Sequence, residues 1–207
     1  MAQSRFIALF SDIGGVLGTN GWDTALREKI AEHFECDHSE IQARHRMMFD
    51  SYERGYMTFE QYLNRVFFAS PRSCRVEDVR DYAYSLSVPW PENIALLRQV
   101  KKENGLKVAL ISNEGEGLTE YRVRKFGLRE LADFLVFSHF VHMRKPDLEI
   151  WRLALNLAQV EASEAIYIDD REIFVDVAAD LGFAVIQHTS VQETRDRLRS
   201  LGLTVPD

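Results

Sequence analysis

Four short segments place chemically capable side chains directly after apolar runs. Ser11-Asp12-Ile13-Gly14-Gly15-Val16-Leu17 follows Phe6–Phe10, and Ser112-Asn113-Glu114-Gly115 follows Lys107–Ile111. Phe134–Phe137 leads into Ser138 and then Arg144-Lys145-Pro146-Asp147, while Ala165–Ile168 ends in Asp169-Asp170. Three carboxylates brought together repel one another unless a cation neutralises them. Oxygen-only donors suit a hard ion such as Mg²⁺, which takes one or two carboxylates plus waters and phosphate oxygens. Lys145 then serves as a point charge for an incoming anion, and Ser112 with nearby backbone N–H groups supplies donors. Asp12 is the expected nucleophile, because a carboxylate can form an acyl phosphate and divide a hydrolysis into two displacements. The lysine and the metal would stabilise charge on the transferring group.

Taken singly, each segment has an ordinary explanation. An Asp after a strand commonly caps the next helix, Ser-Asn makes unremarkable turns, and a lysine before proline is usually a solvated loop charge. Their joint order carries the reading, and it requires elements that bring the four segments to one place. The apolar runs are about 4–6 residues, apolar on both faces and bounded by polar or Gly residues, as in a parallel sheet covered on both sides. Phe183–Gln187 is a fifth such run. Helix-period stretches lie between them: Asn93–Glu103, Leu118–Phe126, Glu149–Ala158, Glu172–Leu181 and Val191–Leu201. Gly105, Gly127, Gly182 and Gly202 stand where such helices would end. The alternation predicts a doubly wound, mainly parallel α/β sheet, with ligands bound outside the carboxyl ends of its strands.

Residues 19–86 break the alternation with four helical patterns: Asp23–Phe34, Ser39–Arg54 (Ser39 as N-cap), Thr58–Phe68 and Val76–Leu86. Thr58 and Gln61 have capping-box spacing. The expected division is therefore an α/β core, residues 1–18 and 87–207, with an all-helical insertion, residues 19–86. Val88–Pro91 marks the return to the core.

The chain has 207 residues, 46% hydrophobic and 28% charged, with a net charge of −7. That composition excludes a disordered chain. It argues against a general nucleic-acid or anionic-membrane binder, while leaving room for an anionic small substrate held by a local cluster of cations. No apolar run reaches the roughly 18–20 residues of a membrane span, and MAQSRFIALFSD is too short for a signal-peptide core. Cys36 and Cys74 form no disulfide framework. A reduced, cytoplasmic protein is the expectation.

The four segments resemble, in order and context, the four motifs of the haloacid dehalogenase-like hydrolase superfamily: FSDIGGVL, LISN, RKPDLEIW and YIDD. The wording is most similar to the group holding sugar-phosphate phosphatases and the phosphatase domain of soluble epoxide hydrolase. The resemblance implies a Rossmann-like core, Mg²⁺, an aspartyl-phosphate intermediate, and a helical cap of the C1 type over a small soluble phosphate such as a sugar phosphate. It implies Asp12 as nucleophile and metal ligand, the Gly14 carbonyl as a metal ligand, and Ser112 with Asn113 on the phosphoryl group. Lys145 would neutralise Asp12 and the phosphate, and Asp169 and Asp170 would complete the metal site.

Three positions depart from the family pattern. Gly14 stands where most phosphatases of the superfamily carry a second Asp as general acid and base, help worth roughly 10²–10⁴-fold. Phe174 replaces an Asn that holds the metal-site carboxylates. His142 stands where Gly commonly precedes the Arg-Lys-Pro run. These departures keep two other functions open: a nearly inactive or non-enzymatic binding protein, and a 2-haloacid dehalogenase whose Asp attacks carbon without metal. Cys36/His38 and His139-x-x-His142 are incomplete metal sets. His142 is a candidate for the site mouth, Trp22 at the entry to the insertion is a candidate for contacting substrate, and Arg44, His45, Arg46 and Met47-Met48 form a basic-apolar patch on the second helical pattern of the insertion.

Overall fold

The computed structural model describes residues 5–206; residues 1–4 and 207, which the expected core includes, lie outside the described residues. Five strands form one parallel sheet: β1 Ala8–Ser11, β2 Lys107–Ser112, β3 Phe134–Phe137, β4 Ala165–Asp169 and β5 Ala184–Gln187, in the order β3-β2-β1-β4-β5. Of the five helices between β1 and β2, the first four are α1 Thr24–His33, α2 His38–Glu53, α3 Phe59–Val66 and α4 Val76–Ser85. They are followed by α5 Pro91–Asn104, α6 Leu118–Lys125 and α7 Leu128–Leu131, then α8 Ser138–Val141, α9 Leu148–Ala158, α10 Glu172–Asp180 and α11 Val191–Ser200. Among the described residues no helix is long and apolar enough to cross a membrane.

The sheet is covered on both sides, as expected of strands that are apolar on both faces between their ends. Leu9, Val108, Leu110, Ile166 and Ile168 point to one face, where they pack with Leu97 and Val100 of α5 and Leu198 of α11. Phe10, Ala109, Ile111, Ala165 and Tyr167 point to the other, against Ile150, Trp151 and Ala154 of α9 and Phe174 and Ala178 of α10. The local signals explain the boundaries. Pro91 opens α5, Gly105 closes it at φ 65°, and Thr58 with Gln61 makes the capping box of α3. Ser39 is not the cap of α2: Asp37 is, its carboxylate accepting from both the Ser39 N–H and the Ser39 hydroxyl. Both residue types suit an N-cap, and the backbone path decides: the chain turns helical at His38, which leaves extended Asp37 in the cap position and Ser39 inside the first turn.

The helices α1–α4 bury their own apolar cluster, including Leu26, Ile30, Ile41, Tyr62, Leu63, Val66 and Val79. The two chain crossings that join them to the sheet layer are paired. The Thr19 N–H donates to the Val88 carbonyl at 2.9 Å, and the Trp90 N–H donates to the Leu17 carbonyl at 2.9 Å. At the far end of α2, Arg144 bonds Glu53 at 2.7 Å and Arg54 bonds Asp147 at 2.7 Å. The segment that carries Lys145 is thereby tied to the helical insertion.

Candidate active site

The strand order puts β1 between β2 and β4, so three of the four chemical segments leave the sheet side by side. Continuing the register beyond Ser11↔Ile168 sets Asp12 next to Asp169, and the Asp12 N–H donates to the Ile168 carbonyl at 2.9 Å. Adjacent strands lie about 4.8 Å apart, so two carboxylates here cannot avoid each other. Lys145 lies between them, with Nζ 3.2 Å from Asp12 Oδ2 and 2.6 Å from Asp169 Oδ2. The Ser112 hydroxyl donates to Asp12 Oδ1 at 2.6 Å. Asn113 fixes the lysine's backbone reciprocally: its Nδ2 donates to the Lys145 carbonyl and its Oδ1 accepts from the Lys145 N–H, both at 2.8 Å. Asp169 also accepts from the Tyr167 hydroxyl and, at 3.0 Å, from the Arg171 N–H.

Lys145, Asp169, Ser112 and Asp12 are all buried. Burial raises the Asp12 carboxyl above the usual range, with Lys145 opposing and Asp169 adding to the rise. For Lys145, burial works to lower the ammonium pKa, and the attraction of Asp12 and Asp169 outweighs it, so the net shift is upward. Asp170 is likewise raised by burial and by Asp12. Three carboxylates against one ammonium leave the cluster short of positive charge.

Asp12, Asp169 and Asp170 each present a carboxylate oxygen, all within 4.8 Å of one another. Asp170 Oδ1 is buried without a hydrogen-bond partner, an expensive state for a carboxylate. An orphaned oxygen in a charge-deficient, oxygen-only cluster fits a divalent cation. Gly15 makes the approach of Asp170 achievable. Its φ is 68°, and a Cβ there would collide with the Asp170 carboxylate.

A cavity of about 60 Å³ opens beside the cluster, lined by Asp12, Gly14, Ser112, Asn113 and Lys145 together with Asn20, Gly21, Trp22, Asp23 and Glu53 from the insertion and its approach. Glu114, Arg144, Arg171 and Phe174 complete the wall. Every expected site residue except Asp169 and Asp170 thus lines the cavity, and those two stand in the carboxylate cluster at its edge. The other candidates divide. Trp22 lines the cavity, its Nε1 donating to the Tyr62 hydroxyl at 2.7 Å, and Tyr62 meets His45 Nδ1 at 2.6 Å. His142 does not line it: the ring stacks on Tyr56 and Nδ1 meets the Arg54 carbonyl. Its φ of 56° explains why this position suits Gly. His139 bonds the Glu114 carbonyl instead of pairing with His142 as a ligand, and Cys36 Sγ donates to the Phe34 carbonyl. Arg44 pairs with Glu40 on the surface of α2, and Met47 is exposed.

The sequence alone does not single out Asn20, Glu114 or Arg122, and it marks Phe174 only as a departure from the family pattern. Asn20 lies in the crossing between layers, with Nδ2 3.4 Å from Asp170 Oδ2. Its Oδ1 stands 2.9 Å from where a Gly14 Cβ would be, so Asn20 fills the space beside the missing side chain. The Phe174 ring faces Lys145 Nζ at 4.9 Å and packs edge-on against Trp151. Glu114 and Arg122 form a buried ion pair. The carboxylate after Ser112-Asn113 could have been flagged by its place at a strand end, whereas Arg122 reads as one of several surface cations of α6.

A family model described as haloacid dehalogenase-like hydrolase matches residues 8–182. A drimenol cyclase from Aspergillus calidoustus is 27% identical over 202 residues, 94% of this chain and 36% of that protein. The bifunctional epoxide hydrolase 2 of Sus scrofa is 38% identical over 74 residues, covering 36% of this chain and 13% of its own length. The chain therefore spans about a third or less of the curated relatives it matches. A HAD-family enzyme from Bacteroides thetaiotaomicron, solved with magnesium and inorganic phosphate, superposes with a TM-score of 0.71 at 23% identity, covering 87% of this chain and 93% of that one. An L-2-haloacid dehalogenase from Xanthobacter autotrophicus, solved with chloropropionic acid covalently bound, gives a TM-score of 0.62 at 18% identity, over 94% and 83% of the two chains. At these identities the structural likeness is one of fold.

Proposed function

Because the chain belongs to the haloacid dehalogenase-like hydrolase family, we propose that it is a Mg²⁺-dependent phosphomonoesterase acting on a small soluble phosphate, a sugar phosphate being the favoured class. One observation carries the reading: Asp12 is held by Ser112 and Lys145 beside an oxygen-only cluster whose Asp170 oxygen lacks a partner. A buried, oriented carboxylate next to a cation is a nucleophile aimed at an electrophile that brings its own negative charge. Asp12 attacks phosphorus and displaces the alkoxide, giving an aspartyl phosphate that water then hydrolyses. Lys145 is shared between Asp12 and Asp169, so it holds the nucleophile in place and offsets charge on the transferring phosphoryl group. Ser112 and Asn113 orient that group, the first by its hydroxyl and the second through the Lys145 backbone. Asp12, Asp169, Asp170 and the Gly14 carbonyl would hold Mg²⁺, which when bound screens the phosphate from the carboxylates. Helices α1–α4 act as a cap, and Trp22 and Glu53 bring its chemistry to the leaving group. The small cavity agrees with a phosphate-sized anion bound under a closed cap.

The absent carboxylate at position 14 favours one second reading, a 2-haloacid dehalogenase in which Asp12 attacks carbon without metal. The orphaned Asp170 oxygen speaks against it, since that reaction gives the cluster no use for a cation. The deciding experiment is turnover of p-nitrophenyl phosphate and a panel of small phosphates with Mg²⁺ or chelator, for wild type and Asp12→Asn. Mg²⁺-supported turnover lost in Asp12→Asn is expected. Absent turnover, or turnover that survives the substitution, overturns the reading, and chloride release from 2-chloropropionate in chelator establishes the second.

A further inference from the structure

We propose that Glu114 is a catalytic residue of this site, supplying the general acid for the leaving group and the general base for the attacking water that Gly14 cannot provide. The proposal rests on the phosphomonoesterase reading. Glu114 leaves β2 two residues after Ser112, at the sheet edge that carries Asp12, and lines the same cavity. Its backbone is pinned: the N–H donates to Ser138 Oγ at 3.0 Å, and the carbonyl meets His139 Nδ1 at 2.8 Å. The side chain is 3% exposed. Arg122 takes only one of its oxygens, Oε1, and the buried Oε2 has no partner.

A carboxylate serving only to neutralise Arg122 would be expected to engage the guanidinium fork with both oxygens. Here the Arg122 fork is divided between Glu114 and the Thr19 carbonyl, leaving Oε2 without a partner in a residue that lines the cavity. The charged and titratable groups around Glu114 are Arg122 from α6, Tyr52 and Glu53 from α2, Asp12 just after β1, Lys145 from its loop and His139 from α8. Burial pushes the Glu114 carboxyl up to about 7, with Arg122 opposing and Asp12 and Glu53 adding to the rise. A carboxyl with that value is populated in both forms near neutrality, which suits a group that must give and then take a proton.

The proton balance is complete without another reactant. In the first displacement an Asp12 oxygen bonds to phosphorus, and the P–O bond to the leaving group breaks with its electrons on oxygen. That oxygen takes the Glu114 proton and departs as alcohol. In the second displacement water attacks phosphorus, the P–O bond to Asp12 breaks, and the water proton goes to the Glu114 carboxylate. Phosphate leaves with Asp12 ionised and Glu114 protonated, as they began.

The test compares kcat/KM for p-nitrophenyl phosphate, whose leaving anion needs little protonation, with that for benzyl phosphate, whose alkoxide needs a proton. In Mg²⁺ buffer, E114Q should lose roughly 10²–10³-fold on benzyl phosphate and less than tenfold on p-nitrophenyl phosphate. In wild type, the benzyl to p-nitrophenyl ratio should fall as pH rises through about 7, a profile that E114Q loses. The metal affects both substrates alike, and expressing each kcat/KM per phosphate dianion removes the substrates' own titration, so the ratio isolates the acid. Equal losses on both substrates in E114Q, or hydrolysis of p-nitrophenyl phosphate without benzyl phosphate, overturn the proposal. So does a flat wild-type ratio between pH 6 and 8, which is read without any variant having to fold. If wild type hydrolyses neither substrate, the phosphomonoesterase reading has failed. If both are hydrolysed and lost in Asp12→Asn while the ratio stays flat, only the role of Glu114 has.

Discussion

Lys145 Nζ lies 2.6 Å from Asp169 Oδ2, and both side chains are fully buried. The same ammonium reaches Asp12 at 3.2 Å, so a single cation compensates two carboxylates. Breaking a buried pair from one side leaves its partner uncompensated, at about 3–5 kcal/mol. Lys145→Met should therefore lose about that much in urea unfolding, and Mg²⁺ should restore part of it by supplying positive charge to Asp12 and Asp169. A variant as stable as wild type in chelator would show that the carboxylates are neutralised by something else.

Gly14→Asp is the substitution that restores the family pattern, yet its Cβ would meet Asn20 Oδ1 at 2.9 Å. The obstacle is the end of a side chain, so Asn20 can yield, but in yielding it releases Asp170. The single variant should gain less than tenfold in kcat/KM on benzyl phosphate. Pairing it with Asn20→Gly should separate the steric cost from the chemistry. A gain of 10²-fold or more in the single variant would show that Asn20 is no obstacle.

Phe174→Asn restores the family's hydrogen-bonding residue and removes a buried ring. That ring packs in the apolar cluster beside Trp151 and faces the Lys145 ammonium at 4.9 Å. Truncating a buried Phe costs about 3–5 kcal/mol, and cation–π attraction adds to the loss when desolvated. The expected result is a lowered urea midpoint with no tighter Mg²⁺ binding by calorimetry. Tighter binding would mean that Phe174 weakens the metal site.

His45 gives the fold a predictable sensitivity to acid. Burial, with Arg27 and Arg46 adding, lowers its ring pKa from 6.5 to about 3. Between those values the unfolded chain binds a proton that the folded chain refuses, so stability falls as pH drops below 6.5. At a half-buried ring, solvent screening leaves roughly 1–2 kcal/mol between pH 7 and 5. Urea unfolding at both pH values should show wild type losing that much more than His45→Gln. Equal losses would assign the acid sensitivity to other groups.

Much of the fold was legible because parallel strands covered on both faces must be apolar on both faces between their ends. Lys107–Ile111, Phe134–Phe137 and Ala165–Ile168 therefore stood out, and each lies within or coincides with an observed strand. Pro91, Gly105 and the Thr58–Gln61 pair marked helix ends for equally local reasons. The cap of α2 was misread because Asp37 and Ser39 both suit the role, and only the backbone path chooses between them. The two short helices α7 and α8 leave no periodic trace, since four residues make barely one turn.

By itself the sequence determined which groups end which strands: Asp12, Ser112, Asp169 and Asp170 are bound to their positions by chain order and strand length. Whether those ends meet was decided by the order β3-β2-β1-β4-β5, which long-range packing selects. The same packing placed Asn20 in the space beside Gly14, set the Phe174 ring against Lys145, and buried Glu114 with one oxygen free. None of these relationships has a sequence period, because each joins residues from different elements whose approach is fixed by how whole layers fill space. The identity of a side chain limits the chemistry it can do. Its desolvation and its neighbours decide which of those chemistries it performs, and both arise only on folding.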